Sequence, residues 1–264
     1  MFERLELLMG KENVKKINKQ KVLVVGLGGV GGTCVTSLVR SGIENIVLID
    51  YDRVDVTNLN RQMVAYVSTV GMKKTEVMER IIKEINPKCK VKKYDVYLDN
   101  TNIKKILDKE CPDYIVDACD SRETKKEIIK EALRRKIRFI SSMGTGNKFD
   151  PSQLEITDIR KTVNDPLARI FRKWVKDNKI TDKITAYYDA TQTNRGIHVA
   201  GLRSGHGRGA RPQIGALQAA LQKHLCKGGI RGRERVPHGQ TRTHQTPDVR
   251  RGAQDPALAR VGRA

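Results

Sequence analysis

The sequence contains no CxxC pair. Its five cysteines, Cys34, Cys89, Cys111, Cys119 and Cys226, are scattered and odd in number. That argues against a paired-cysteine zinc site or a disulfide framework and fits reduced thiols in a cytoplasmic protein. Long apolar runs are missing too: none approaches the roughly 18 residues that span a bilayer, so no membrane association is expected. The first residues, acidic at Glu3 and Glu6, lack the apolar stretch and small-residue cleavage site of a secretory leader. With 38% hydrophobic and 31% charged residues, 264 residues are enough for one sizeable core.

Aromatic side chains are absent from residues 192–264, and the composition changes there in kind. This stretch holds all five histidines, 12 of the 22 glycines and 12 arginines against 2 lysines, whereas residues 1–191 hold 25 lysines and 12 arginines. About half of the net charge of +21 therefore sits in the last quarter of the chain. A segment so poor in bulky apolar side chains cannot offset the entropy of ordering itself. The expected organisation is a folded body over residues 1–188 and a basic, irregular tail over 189–264, with one amphipathic helix at 214–225. Three readings of the tail compete. An Arg/Gly-rich segment binds phosphate backbones, a His-rich segment binds metal but here lacks ligand spacing, and a shifted or joined reading frame yields non-native sequence. The abrupt exchange of lysine for arginine favours the last.

Before the tail, short β-rich runs alternate with helical patterns. Strands are expected at 21–26, 45–50, 90–95, 114–117 and 138–142. Helices are expected at 2–17, 30–41, 73–85, 103–109, 122–135 and 165–177. Continuous apolar strands separated by helices define an α/β, Rossmann-like, doubly wound and mostly parallel sheet, with ligands at the carboxyl ends of the strands.

The first strand runs into Gly26-Leu27-Gly28-Gly29-Val30-Gly31, a GxGGxG turn that opens a helix. Glycines permit a tight turn and close approach to a phosphate, and the free amides of the helix start attract anions. Asp50 ends the second strand, where an acidic residue meets a ribose hydroxyl. To this point an NAD site and an ATP site read alike. The next segment does not suit NAD: Asp50-Tyr51-Asp52-Arg53-Val54-Asp55-Val56-Thr57-Asn58-Leu59-Asn60-Arg61-Gln62 gathers polar and basic groups that a diphosphate does not require. A triphosphate under attack does require them, because Arg61 and then Lys74 can neutralise a departing pyrophosphate.

GLGGVG, DYDRVDVTNLNRQ, VGMKKTEV and VDACDS, in this order and spacing, resemble the ubiquitin-activating-enzyme-like adenylating proteins. The resemblance implies ATP and Mg2+ as cofactors, with Asp50 on the ribose, Asn58, Arg61 and Lys74 on the phosphates, and Asp120 as the magnesium ligand. Gly26, Gly28, Gly29, Gly31, Asp52, Asn60, Gln62 and Ser121 complete the candidate nucleotide site, and Arg61, Lys74 and Asp120 form the candidate catalytic set. Asp117 is expected to be structural, and Cys119 a small buried hydrophobe. A homodimer is implied, with Arg4 the candidate for an N-terminal arginine that reaches the other subunit's ATP.

Two features select a branch. Members that activate sulfur carriers often carry CxxC pairs and a crossover cysteine; here no cysteine lies between Cys119 and Cys226. The run from Gly144 through QLEITDIRKTVNDPLARIFRKWVK is similar to the tRNA threonylcarbamoyladenosine dehydratases. That resemblance implies ATP-dependent cyclisation of the threonylcarbamoyl side chain at position 37 of tRNA, through an adenylated carboxylate. Ring closure by an internal group needs no protein nucleophile. Activation of a sulfur-carrier C-terminus is the alternative, and a sulfur-transfer partner is left open. Basic clusters at Arg134, Arg135, Lys136 and Arg138, and at Arg160, Lys161, Arg169, Arg172 and Lys173, are candidates to place the tRNA, or else solvated helix faces. Trp174 is expected to pack its helix. The pattern ends near Thr185, which predicts a sheet cut short and weak ATP–pyrophosphate exchange.

Overall fold

The computed structural model describes residues 2–145 and 151–191. The tail, its expected helix at 214–225 and part of the Gly144–Pro151 turn lie outside the described residues. Residues 3–19 form two helices, α1 (Glu3–Met9) and α2 (Lys11–Lys19), where the apolar spacing suggested one. Gly10 between them has φ +82, a left-handed conformation that interrupts the helix and that glycine adopts at least cost.

Next come β1 (Lys21–Val25), α3 (Gly29–Arg40), β2 (Asn45–Ile49), α4 (Lys74–Ile85), β3 (Lys90–Tyr94), α5 (Ile103–Glu110), β4 (Tyr114–Asp117), α6 (Arg122–Arg134) and β5 (Arg138–Ser142). Each lies within a residue or two of its expected place. Two further strands carry no clear sequence signal: β6 (Leu154–Asp158) and, after α7 (Pro166–Asp177), β7 (Thr185–Asp189). The sheet order is β3-β2-β1-β4-β5-β7-β6, parallel except for β6, which pairs antiparallel with β7. β7 is wholly buried and bonded to both neighbours, so the sheet continues past Thr185 instead of stopping there.

The strand period of two divides the core between the two faces of the sheet. Val22 and Val24 of β1, Ile46 and Leu48 of β2, and Tyr114 and Val116 of β4 pack with α3 and α4. Leu23, Val25, Val47, Ile49 and Ile115 face α5, α6 and α7. Complete burial of each such side chain is worth about 1.5–3 kcal/mol before entropy is counted. α7 starts with Asp165 accepting from the Ala168 N–H at 2.8 Å and Pro166 in the first turn, both strong start signals. Because β1 leads to β2 on one side while β3 crosses to β4 on the other, the chain reverses direction between β1 and β4. A crevice opens there, at the carboxyl ends of the strands.

Candidate active site

Three turns meet at that crevice. The turn after β1 carries the glycines. Gly26 has φ +88, and a Cβ there would lie 2.7 Å from the Ala118 carbonyl oxygen of the turn after β4. A Cβ on Gly31 would lie 1.8 Å from the Gly26 oxygen, so only glycine lets α3 start this close to β1. At Gly28 the space is open, with nothing nearer than Gln62 Nε2 at 3.9 Å, and Gly29 lies under the Arg61 carbonyl at 3.3 Å from a built Cβ. The glycine turn is thus held between Arg61–Gln62 on one side and Ala118 on the other.

The turn after β2 carries Asp50. One of its carboxylate oxygens accepts from the Leu27 N–H at 2.6 Å and the other from the Asp52 N–H at 2.8 Å. This single side chain fixes the glycine turn to the β2 turn. Burial raises its pKa above the ordinary carboxylate value, opposed by the charge of Lys74 and by these two N–H groups. Lys74, the first residue of α4 and only 5% exposed, pairs with Asp52 at 2.7 Å. The segment between is folded by its own side chains: Asp55 and Asn58 form a reciprocal cap, with the Asn58 oxygen accepting from the Asp55 N–H at 3.1 Å. Asn58 is buried and Asn60 exposed; Asn60 accepts from Arg61 Nη1 at 2.9 Å, and the same nitrogen donates to the Thr57 carbonyl at 3.0 Å. Gln62 Oε1 is buried without a hydrogen-bond partner among the described residues.

The turn after β4 separates its two aspartates. Asp117, fully buried, accepts from the Lys125 ammonium at 3.0 and 3.1 Å, from the Ser141 hydroxyl, and from the Cys119 amide at 3.3 Å and thiol at 3.1 Å. Asp120 is exposed and makes no hydrogen bond or ion pair among the described residues. Of the two carboxylates, Asp120 is therefore the one available to a ligand. Ser121 caps α6 and shares a 2.7 Å hydrogen bond with the Tyr97 hydroxyl, and Tyr97 in turn packs edge-on against Tyr51, with ring centroids 5.2 Å apart. The Tyr51 hydroxyl is pushed up by the charge of Asp52 first, then by burial, Asp50, Tyr97 and Asp120.

Gly26, Gly28, Gly29, Gly31, Asp50, Asp52, Asn58, Asn60, Arg61, Gln62, Lys74, Asp120 and Ser121 all lie on these three turns and the starts of α3 and α4. Arg4, expected to reach the other subunit's site, lies away from this chain's own crevice. It is exposed on α1, where Leu5 packs by Gly42 at the amino edge of the sheet. Cys119 is half-buried and hydrogen-bonded, not merely a space-filling hydrophobe; burial and the neighbouring Asp117 push its thiol well above the ordinary range. The cluster at Arg134–Arg138 also lies at the amino edge. Arg134 and Arg135 pair with Glu131, Arg135 also with Asp108, and Arg138 reaches Gln20. In the second cluster, Arg160 binds the carbonyls of Ile180 and Asp182, and Arg172 that of Thr162. Arg169 and Lys173 are exposed on α7. Trp174 packs its helix as expected, edge-on to Phe171.

Sequence reasoning missed Lys125, Tyr97 and Tyr51. Lys125 was detectable in principle: it sits three, four and seven residues before Ile128, Ile129 and Ala132, the apolar face of α6. A lysine on that stripe calls for a buried partner. No comparable signal marks Tyr97.

A Rossmann-type sheet with a glycine turn after its first strand and an aspartate at the end of its second has the arrangement of a nucleotide-binding α/β protein. A family model described as the ThiF family matches residues 2–168, and the chain belongs to that family. It is 42% identical over 171 residues to the tRNA threonylcarbamoyladenosine dehydratase of Bacillus subtilis, covering 65% of this chain and 67% of that protein. To the corresponding protein of Escherichia coli it is 38% identical over 171 residues, covering 65% and 63%. A solved structure of E. coli tRNA N6-threonylcarbamoyladenosine dehydratase in complex with ATP matches with a TM-score of 0.75 at 32% identity, over 88% of this chain and 96% of that one. The chain spans 41% to 67% of the length of the curated dehydratases it matches.

Proposed function

We propose that this protein is an ATP-dependent tRNA threonylcarbamoyladenosine dehydratase. The observation that carries the reading is the convergence of the turns bearing the glycines, Asp50, Arg61, Lys74 and an Asp120 unpaired among the described residues, in a chain similar to dehydratases of that name and to one solved with ATP.

The ribose rests at Asp50, whose oxygens keep lone pairs beyond the two N–H groups they accept. The triphosphate lies along the amides at the start of α3, with Arg61 and Lys74 on its outer oxygens. Lys74 is buried and held in place by Asp52 at 2.7 Å, so it meets a phosphate at little reorganisation cost. The side-chain carboxylate of the modified nucleoside attacks the α-phosphorus and pyrophosphate leaves, its charge met by Arg61 and Lys74. A nitrogen or hydroxyl of the same side chain then attacks the acyl carbon. AMP departs with the carboxylate oxygen, a proton is lost, and the ring closes with the net removal of water. Asp120 suits a magnesium ion, being a carboxylate with no protein donor among the described residues. No cluster of three metal-ligating side chains occurs among the described residues, so Asp120 would be the protein's carboxylate for the ion, and its remaining ligands would have to come from the nucleotide and water. When bound, the ion offsets phosphate charge.

tRNA approaches from the side of α7, whose amino end lies at the carboxyl edge of the sheet and which exposes Arg169 and Lys173. The cluster at Arg134–Arg138 faces away from the crevice and takes no part. The protein acts in the cytoplasm as a homodimer; exposed apolar side chains at Leu7 and Leu8 of α1, and at Tyr66, Val67 and Val70, are available for the subunit interface. With β7 in place, the sheet behind the site extends past Thr185, so turnover is expected. The test is incubation with ATP, Mg2+ and tRNA bearing threonylcarbamoyladenosine, then digestion to nucleosides. The modified nucleoside should lose the mass of one water. ATP–pyrophosphate exchange that needs a sulfur-carrier protein and leaves tRNA unchanged would replace this reading with carrier activation.

A further inference from the structure

Beneath the proposed metal-binding aspartate lies a buried charge pair that binding of ATP does not itself require. Lys125 is 1% exposed and Asp117 is 0% exposed. The Lys125 ammonium donates to both Asp117 oxygens and, at 2.7 Å, to the Ser142 carbonyl at the end of β5. It therefore ties the ends of β4 and β5 to α6 at one point. Asp117 in turn accepts the amide and thiol of Cys119 and the Ser141 hydroxyl. With four donor groups on it, the Asp117 carboxylate is committed to holding the chain. The opposite face of the same turn is fixed as well, because Ala118 backbone atoms lie against Gly26, and Ser121 is held by Tyr97. Between these anchors stands Asp120, exposed and unpaired among the described residues.

We propose that the Lys125–Asp117 pair is a positioning element for Asp120, which sets how strongly Mg2+ tightens ATP binding. The proposal rests on the reading of Asp120 as the metal-side carboxylate. An apolar pair of similar volume would hold β4 against α6 equally well, since buried ion pairs give up much of their attraction to desolvation. What an apolar pair cannot do is accept the Cys119 amide and thiol, and that grip fixes the backbone one residue before Asp120. Partners that orient metal ligands in this way typically contribute about 10- to 100-fold in metal affinity or activity.

The experiment is calorimetric titration of the full chain with ATP, once in Mg2+ and once in EDTA, read as the ratio of the two affinities. Asp120→Asn should bring the ratio close to one. Asp117→Leu/Lys125→Met removes both charges and the acceptor of the Cys119 amide and thiol together, and a thermal melt reports that it folds; its affinity in Mg2+ should fall roughly 10- to 100-fold while its affinity in EDTA stays near wild type. Lys125→Arg, which can still pair with both Asp117 oxygens, should restore most of the ratio. Ser141→Ala leaves the ion pair intact, folds regardless of the other variants, and should show a smaller loss of the same kind. A wild-type ratio in the folded double variant and in Ser141→Ala, or equal losses with and without Mg2+, overturns the proposal. A wild-type protein whose ATP affinity ignores Mg2+, or an Asp120→Asn variant that keeps the full ratio, instead overturns the metal-site reading on which it rests.

Discussion

Gly28 and Gly31 sit three residues apart on one turn, and the same added methyl group should have opposite consequences at the two. At Gly31 the new Cβ would fall 1.8 Å from the Gly26 carbonyl oxygen and 3.2 Å from the Ala118 side chain. A carbon–oxygen contact needs more than about 3 Å, so α3 must retreat from β1 by over about 1 Å, with backbone on both sides. Overpacking of this kind costs about 3 kcal/mol or more, and a fold of this size loses roughly 2–4 °C of melting temperature per kcal/mol. Gly31→Ala should therefore melt about 6–12 °C below wild type. At Gly28 the nearest atom to a new Cβ is 3.9 Å away, and φ −70 with ψ −157 is open to alanine. Gly28→Ala should melt within about 1 °C of wild type. If the triphosphate lies over this turn, however, the methyl group occupies space the phosphate needs. A displacement of about 1 Å at a reacting centre costs on the order of 100-fold. Differential scanning calorimetry and ATP titration on both variants test this. Gly28→Ala with full ATP affinity would refute the placement of phosphates on the glycine turn, and Gly31→Ala with wild-type stability would refute the packing of α3 on β1.

Lys74→Met should leave the melting temperature nearly unchanged, because Asp52 is half exposed and returns to water, while the rate of pyrophosphate release falls by about 100- to 1000-fold as a transition-state cation is removed; rapid-quench assays check this. Arg169→Glu/Lys173→Glu should weaken tRNA binding and flatten its salt dependence by about 0.7–0.9 in slope for each phosphate no longer neutralised, whereas Arg134→Glu should not; filter binding over a salt series separates the two. Brief alkylation followed by peptide mapping should modify the exposed Cys111 and spare Cys34, Cys89 and Cys119, whose thiols burial pushes up.

β1, β2 and β4 were legible as short runs rich in Val and Ile, β3 and β5 by their place between helical patterns, and each helix by its own apolar stripe. β6 and β7 were not. LEITD and TAYYD are brief and partly polar, and what makes them strands is their pairing with each other and with β5, a long-range interaction that no local pattern reports. The break at Gly10 is hidden by apolar spacing that runs through it. Among the site residues, the glycine turn and Asp50 could be read directly, since only particular backbone shapes and charges suit those positions. In the sequence, the contrast between Asp117 and Asp120 rests on resemblance alone. Its physical cause is four donor groups on one carboxylate and none among the described residues on the other, and it depends on Lys125 and Ser141 being brought in from α6 and β5. RETKKEIIKE offers four lysine and arginine side chains, and only packing selects the buried one. The arginines near residues 134 and 138 mislead for a related reason: charge in sequence says nothing of which edge of the sheet it will occupy.

The most direct measurement is the nucleoside digest of tRNA bearing threonylcarbamoyladenosine after incubation with this chain, ATP and Mg2+. The expected result is conversion to a nucleoside lighter by one water, with one AMP and one pyrophosphate formed for each, and loss of conversion in Lys74→Met and Asp120→Asn. Unchanged threonylcarbamoyladenosine from a folded protein that binds ATP would contradict the assigned reaction.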